Sequence, residues 1–67
     1  MTVVRLNGTE LQFADGSTLA DVVASLTATH TGIAVALDDA VVPRSRWDAT
    51  PVFAGARVEV LTAVQGG

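Results

Sequence analysis

The residues best suited to chemistry in this 67-residue chain are its last two, Gly66-Gly67, directly behind the alternating stretch Val58-Glu59-Val60-Leu61-Thr62-Ala63-Val64. Two glycines at a carboxyl end make poor structure. Lacking a Cβ, they bury no side chain and cost backbone entropy to order. They are thin enough to thread a narrow active-site channel, and they would present the α-carboxylate of Gly67 as a reacting group. Such a carboxyl has a pKa of about 3.3–3.7, so at neutral pH it is a carboxylate that resists nucleophiles and must be activated by something else. Nothing else in the chain can do that work. There is no cysteine, no lysine, a single histidine (His30) and no phosphate-cradling glycine loop. Gly32 and Gly55 stand singly at the ends of expected elements, where turns explain them. Asp38-Asp39 reads as a solvated turn, lacking the further ligands a metal needs. No catalytic residue and no metal site are expected, and the chain reads as a substrate.

Composition narrows the class. A chain of 67 residues is one small domain near the lower limit of autonomous folding. At 49% hydrophobic it carries enough apolar surface for a core, which it needs, since no disulfide staples it. The net charge is −3, with all four cations arginine: Arg5, Arg44, Arg46 and Arg57. So acidic a surface argues against nucleic acid as a partner. The absence of lysine means that the chain cannot be linked into isopeptide polymers through itself. No apolar run reaches membrane-span length and no signal-peptide pattern opens the chain, so the expectation is a cytoplasmic protein without a membrane partner.

The elements that must position the glycines follow from local rules. Thr2 to Leu6 alternates, with Val4 and Leu6 on one face, and Asn7-Gly8 is the strongest short hairpin signal. Thr9 to Phe13 alternates again, apolar at Leu11 and Phe13. After the turn residues Asp15-Gly16-Ser17, Thr18-x-x-Asp21 resembles a capping box. The helix behind it carries Leu19, Val22, Val23 and Leu26 on one stripe. His30 falls near its end, where a cation suits the dipole. Ile33 to Leu37 predicts a strand with its larger residues on one side, Asp38-Asp39 a turn, and Ala40-Val41-Val42 a short strand closed by Pro43. Arg44 to Ala49 reads as a polar connection holding Trp47, and Pro51 to Gly55 as a short helical turn before the last strand. No linker or repeat divides the chain. A hairpin, one helix and further strands make a two-layer α+β domain with the helix on one sheet face.

The segment Ala36-Leu37-Asp38-Asp39-Ala40-Val41-Val42-Pro43-Arg44-Ser45-Arg46-Trp47 resembles the sulfur carrier proteins of thiazole (thiamine) biosynthesis, the ThiS family. The shared features are Val42-Pro43-Arg44, Trp47 three residues on, Gly55-Ala56 leading into the last strand, and the Gly66-Gly67 end. Two turn positions depart from it: the family often has Asn at Asp38 and Gly-Asp at Gly55-Ala56. The terminal glycines are common to all sulfur carriers and processed ubiquitins. The Val-Pro-Arg segment with its spaced tryptophan separates this family from the longer molybdopterin-synthase small subunit.

The resemblance implies a ubiquitin-like β-grasp domain over residues 1–64, a mixed sheet with the final strand inserted beside the first, and a flexible Gly-Gly tail over 65–67. It implies that Gly67 is adenylated and converted to a thiocarboxylate, with Gln65, Gly66 and Gly67 entering the partner's active site. No cofactor would be bound; ATP would be used by the activating partner. The implied partners are an adenylating enzyme resembling ubiquitin-activating enzymes, a thiazole synthase, and a persulfide donor supplied by a cysteine desulfurase. A carrier for molybdopterin, cysteine or tRNA thiolation, or a non-catalytic β-grasp adaptor, are the alternatives.

The steps from Val64 to Gly67 span about 10 Å when extended. Ordering four such residues costs on the order of 4–8 kcal/mol, which tail contacts alone are poorly able to offset, so a docking surface on the body is expected. With Val58 and Val60 turned to the helix, Leu61 and Ala63 face outward, and Val3 and Arg5 are expected beside them as a small docking patch. Arg44 joins this set through the family motif. Trp47 reads as a packing anchor or a binding residue, and Arg44 and Arg46 as solvated, paired with neighbours such as Asp48, or contacting a partner.

Overall fold

The computed structural model describes residues 1–26 and 32–62. The strands are β1 (Thr2–Leu6), β2 (Thr9–Phe13), β3 (Ile33–Leu37), β4 (Ala40–Val41) and β5 (Arg57–Thr62), with one α-helix, α1 (Leu19–Leu26), and a 3-10 helix (Arg44–Ala49). All five strands form one sheet in the order β2-β1-β5-β3-β4. β5 runs parallel to β1 and antiparallel to β3, which makes the last strand central. This is the β-grasp order that the family resemblance implies.

Two tight turns set the hairpins. Asn7 (φ 49) and Gly8 (φ 85) connect β1 to β2 with Leu6 opposite Thr9. Asp38 (φ 50) and Asp39 (φ 73) do the same between β3 and β4. Positive φ at both central residues is the turn whose twist matches that of paired strands, and short polar side chains tolerate it. The Thr18 capping box forms as read: the Thr18 amide donates to Asp21 Oδ2 at 2.9 Å, and the Asp21 amide to Thr18 Oγ1 at 3.3 Å.

The apolar face of the sheet meets α1. Val4, Leu6, Val35, Val58 and Val60 lie against Leu19, Val22 and Val23, with Trp47, Val52 and Ala56 closing the cluster. The stripe and the outer strand are covered less than their patterns suggest. Leu26 is half exposed, and Leu11, on the helix side opposite Val4, sits on an edge strand that the eight-residue helix does not cover.

The helical turn expected over Pro51 to Gly55 does not form; it lies over Arg44–Ala49 instead. Pro43, with φ −61, opens that helix, and Arg46 and Thr50 donate back to Pro43 and Trp47. The amides after Pro51 are drawn outward: Val52 donates to Ser17 and Gly55 to Val3. A bridge between Thr18 and Pro51 also ties this segment to the start of α1. Chain-crossing partners have won over a local helix.

Candidate functional site

The site is the strand that leads towards the terminal glycines and the sheet face around it. β5 is held on both sides. It pairs with β3 from Val58 opposite Leu37 to Thr62 opposite Ile33, and with β1 only at Arg5–Arg57 and Leu6–Val58. β1 therefore ends before β5 does. The gap is filled by a side chain: Val60 N–H donates to Asn7 Oδ1 at 2.8 Å, and Asn7 Nδ2 donates to the Val60 carbonyl at 3.3 Å. The Val35 carbonyl takes the Val42 amide, so in the Val35–Val60 pair the backbone groups of Val60 point away from β3 towards β1. The Asn7 carboxamide thus stands in for the next peptide of β1. Sequence reading found Asn7 as a turn residue and missed this second role, which depends on a partner 53 positions away.

The alternation of β5 falls as expected. Val58 and Val60 are buried, and Leu61 is 67% exposed on the opposite face. Its neighbours differ from those expected. Arg5 stands beside Arg57, four residues before Leu61, and Val3 is level with Gly55, whose amide it accepts at 2.8 Å. Val3 and Arg5 are therefore not beside Leu61. Parallel pairing carries β1 past the beginning of β5, not past its end. Between Val3 and Leu61 lies a charged row, an open groove of about 240 Å³ lined by Arg5, Gly8, Arg57 and Glu59. Arg5 pairs with Glu10 at 3.2 Å and Arg57 with Asp39.

Leu61 sits instead beside Ala34, with Ala36 and Val41 next across the sheet. Val41 is 76% exposed. Two alanines between a leucine and a valine make an apolar strip on β5, β3 and β4, bordered by Glu59 opposite Ala36. The signal was present in the small-large alternation of β3, whose larger residues fill the core side.

Arg44 is exposed and belongs to a different surface, since it begins the 3-10 helix packed against α1 on the other side of the sheet. Neither it nor Arg46 makes an ion pair among the described residues, and both are exposed, so the solvated reading fits and pairing with a neighbour such as Asp48 does not. Of its two readings, Trp47 takes that of the packing anchor: it is buried, and its indole N–H donates to the Val42 carbonyl at 2.8 Å. Gly55 (φ 86) supplies the left-handed step before β5. No group of three or more potential metal ligands occurs among the described residues, and no helix there is long and apolar enough to cross a membrane. His30, Ala63, Gln65, Gly66 and Gly67 lie outside the described residues.

Val42, Pro43 and Trp47 thus form one structural unit, in which the tryptophan closes on the residue that begins the motif. The ThiS family model matches residues 2–67, which includes that unit and both terminal glycines. The chain belongs to the ThiS family. Among solved structures it is similar to the crystal structure of a thiamine biosynthesis protein (ThiS) from Geobacter metallireducens. The two are 28% identical with a TM-score of 0.82, over 98% of this chain and 100% of that one. A solution structure of a thiamine biosynthesis protein from the same organism is 26% identical with a TM-score of 0.77, over 98% of this chain and 88% of that one. No curated protein matches the chain. The ThiS match takes in the unit around Trp47 and the central strand β5.

Proposed function

We propose that this chain is the sulfur carrier for thiazole formation in thiamine biosynthesis, a protein substrate whose Gly67 carboxylate is activated and sulfurated by partner enzymes. The observation that carries the reading is the ThiS family match running through Gly66-Gly67, on a chain with no cysteine or lysine of its own. The chemistry follows from the carboxylate. A Gly67 oxygen attacks the α-phosphorus of ATP and pyrophosphate leaves. The terminal sulfur of a persulfide then displaces AMP from the acyl carbon, and a thiol attacks the donor sulfur of the resulting acyl disulfide, forming a disulfide with the donor and releasing the thiocarboxylate. An adenylating enzyme supplies the ATP site, a persulfide supplies the sulfur, and a thiazole synthase takes it. The carrier's own part is mechanical. β5, clamped by β3 and by Asn7, gives the tail a fixed origin, and the strip of Leu61, Ala34, Ala36 and Val41 offers the docking area needed to offset the ordering of the tail.

The test is an intact-mass measurement after incubation with the activating enzyme, ATP and a sulfur donor. The expected result is the gain for replacing one oxygen by sulfur, located at Gly67. No such gain, with every other component active on a known carrier, refutes the proposal.

A further inference from the structure

We propose that Asn7 is a site of spontaneous covalent modification, a succinimide-forming Asn-Gly pair whose reaction is held back by its clamp on β5. Asn7-Gly8 occupies an exposed two-residue turn. Gly8 carries no side chain to hinder approach to its own nitrogen, and the space its Cβ would fill is open, with nothing within 4 Å. In an Asn-Gly pair that nitrogen, once deprotonated, attacks the side-chain carbonyl carbon of Asn7. The C–Nδ2 bond breaks, ammonia leaves with the proton, and a five-membered succinimide closes. Water then adds to either ring carbonyl and opens it to aspartate or to isoaspartate. Water is the only co-reactant, and nothing is oxidised or reduced.

The fold opposes ring closure at one point. Bringing the carboxamide carbon onto the Gly8 nitrogen requires the side chain to leave Val60, which breaks both the 2.8 Å and the 3.3 Å hydrogen bonds. Modification therefore proceeds through states in which the end of the β1–β5 pairing has opened, a local event well short of global unfolding. Its products do not restore the clamp. An aspartate keeps the acceptor for Val60 N–H but has no donor for the Val60 carbonyl, and it adds negative charge beside the groove that holds Glu59. Isoaspartate adds a methylene to the main chain inside a two-residue turn and shifts the register of the hairpin. Each opening of this corner thus carries a chance of permanently loosening the strand that leads to Leu61.

The experiment incubates the full chain at mildly alkaline pH, in native buffer and in denaturing urea. It follows the mass gain for replacing an amide NH2 by OH and measures isoaspartate by enzymatic methylation. The native chain is expected to react more slowly than the denatured chain by roughly tenfold or more, the rate equivalent of two net hydrogen bonds. Peptide mapping should place the change at Asn7, and Asn7→Gly should abolish it. Val60→Ala, which loosens the same corner, should raise the native rate and leave the denatured rate unchanged. Equal rates in the folded and denatured chain, or a product located elsewhere, overturn the proposal independently of the carrier reading.

Discussion

Leu61→Asp separates a docking strip from an ordinary surface leucine. Leu61 contributes to no core contact and is two-thirds exposed, so the substitution should leave the denaturation midpoint within about 0.5 kcal/mol of the parent. Fully burying a leucine is worth about 1.5–3 kcal/mol, so covering the exposed two-thirds of this one on docking contributes roughly 1–2 kcal/mol. Placing an unpaired carboxylate in the covered strip adds a desolvation cost on top. Affinity for the activating enzyme or the thiazole synthase should therefore fall by more than about 2 kcal/mol, some thirtyfold in Kd. The assay is titration calorimetry against each partner, with urea unfolding of the same samples. Val3→Ser strips apolar surface from the other end of the same face, beyond the Arg5–Arg57 row, and should leave both affinities unchanged. Three results would refute the reasoning: a Leu61→Asp variant that unfolds, one that folds and binds both partners as tightly as the parent, or a loss of binding from Val3→Ser as large as that from Leu61→Asp.

Deleting Gly66 and Gly67 should leave the thermal midpoint unchanged, because neither residue has a side chain to bury, while abolishing sulfur transfer in the mass assay. Trp47→Phe leaves the Val42 carbonyl without its indole donor and should cost about 1–3 kcal/mol in urea unfolding, with docking unaffected in the folded protein. Val58→Ala removes two methyl groups from a fully buried position between sheet and helix. It should cost about 2 kcal/mol, a fall in Tm of roughly 8–16 °C for a domain of this size. A calorimetric Tm within error of the parent would show that the core around β5 is looser than its burial implies.

Several elements were legible in the sequence because short-range chemistry decides them. Asn7-Gly8 demands a tight hairpin turn through its backbone angles alone, and Thr18 with Asp21 satisfies the first amides of α1 across three residues. The inward set Val4, Leu6, Val35, Val58 and Val60 follows from the period of a strand. The sequence predicts a helical turn over Pro51 to Gly55 and the structure has one over Arg44–Ala49, because both stretches can turn locally. What separated them was that Ser17 and Val3 take up the later amides.

The sequence by itself determined the turns, the face of each strand, the Trp47 anchor and the family motif, all properties carried by neighbouring residues or by a repeating period. Only the tertiary structure decided which residues share a surface. The offset between β1 and β5 is set by how two strands some fifty residues apart slide into register, and no local pattern encodes that offset. It moved Val3 and Arg5 away from Leu61 and turned a hairpin asparagine into the clamp on the strand that leads to Gly66-Gly67, while the separate antiparallel register of β3 on β5 placed Ala34 beside Leu61, with Ala36 and Val41 beyond.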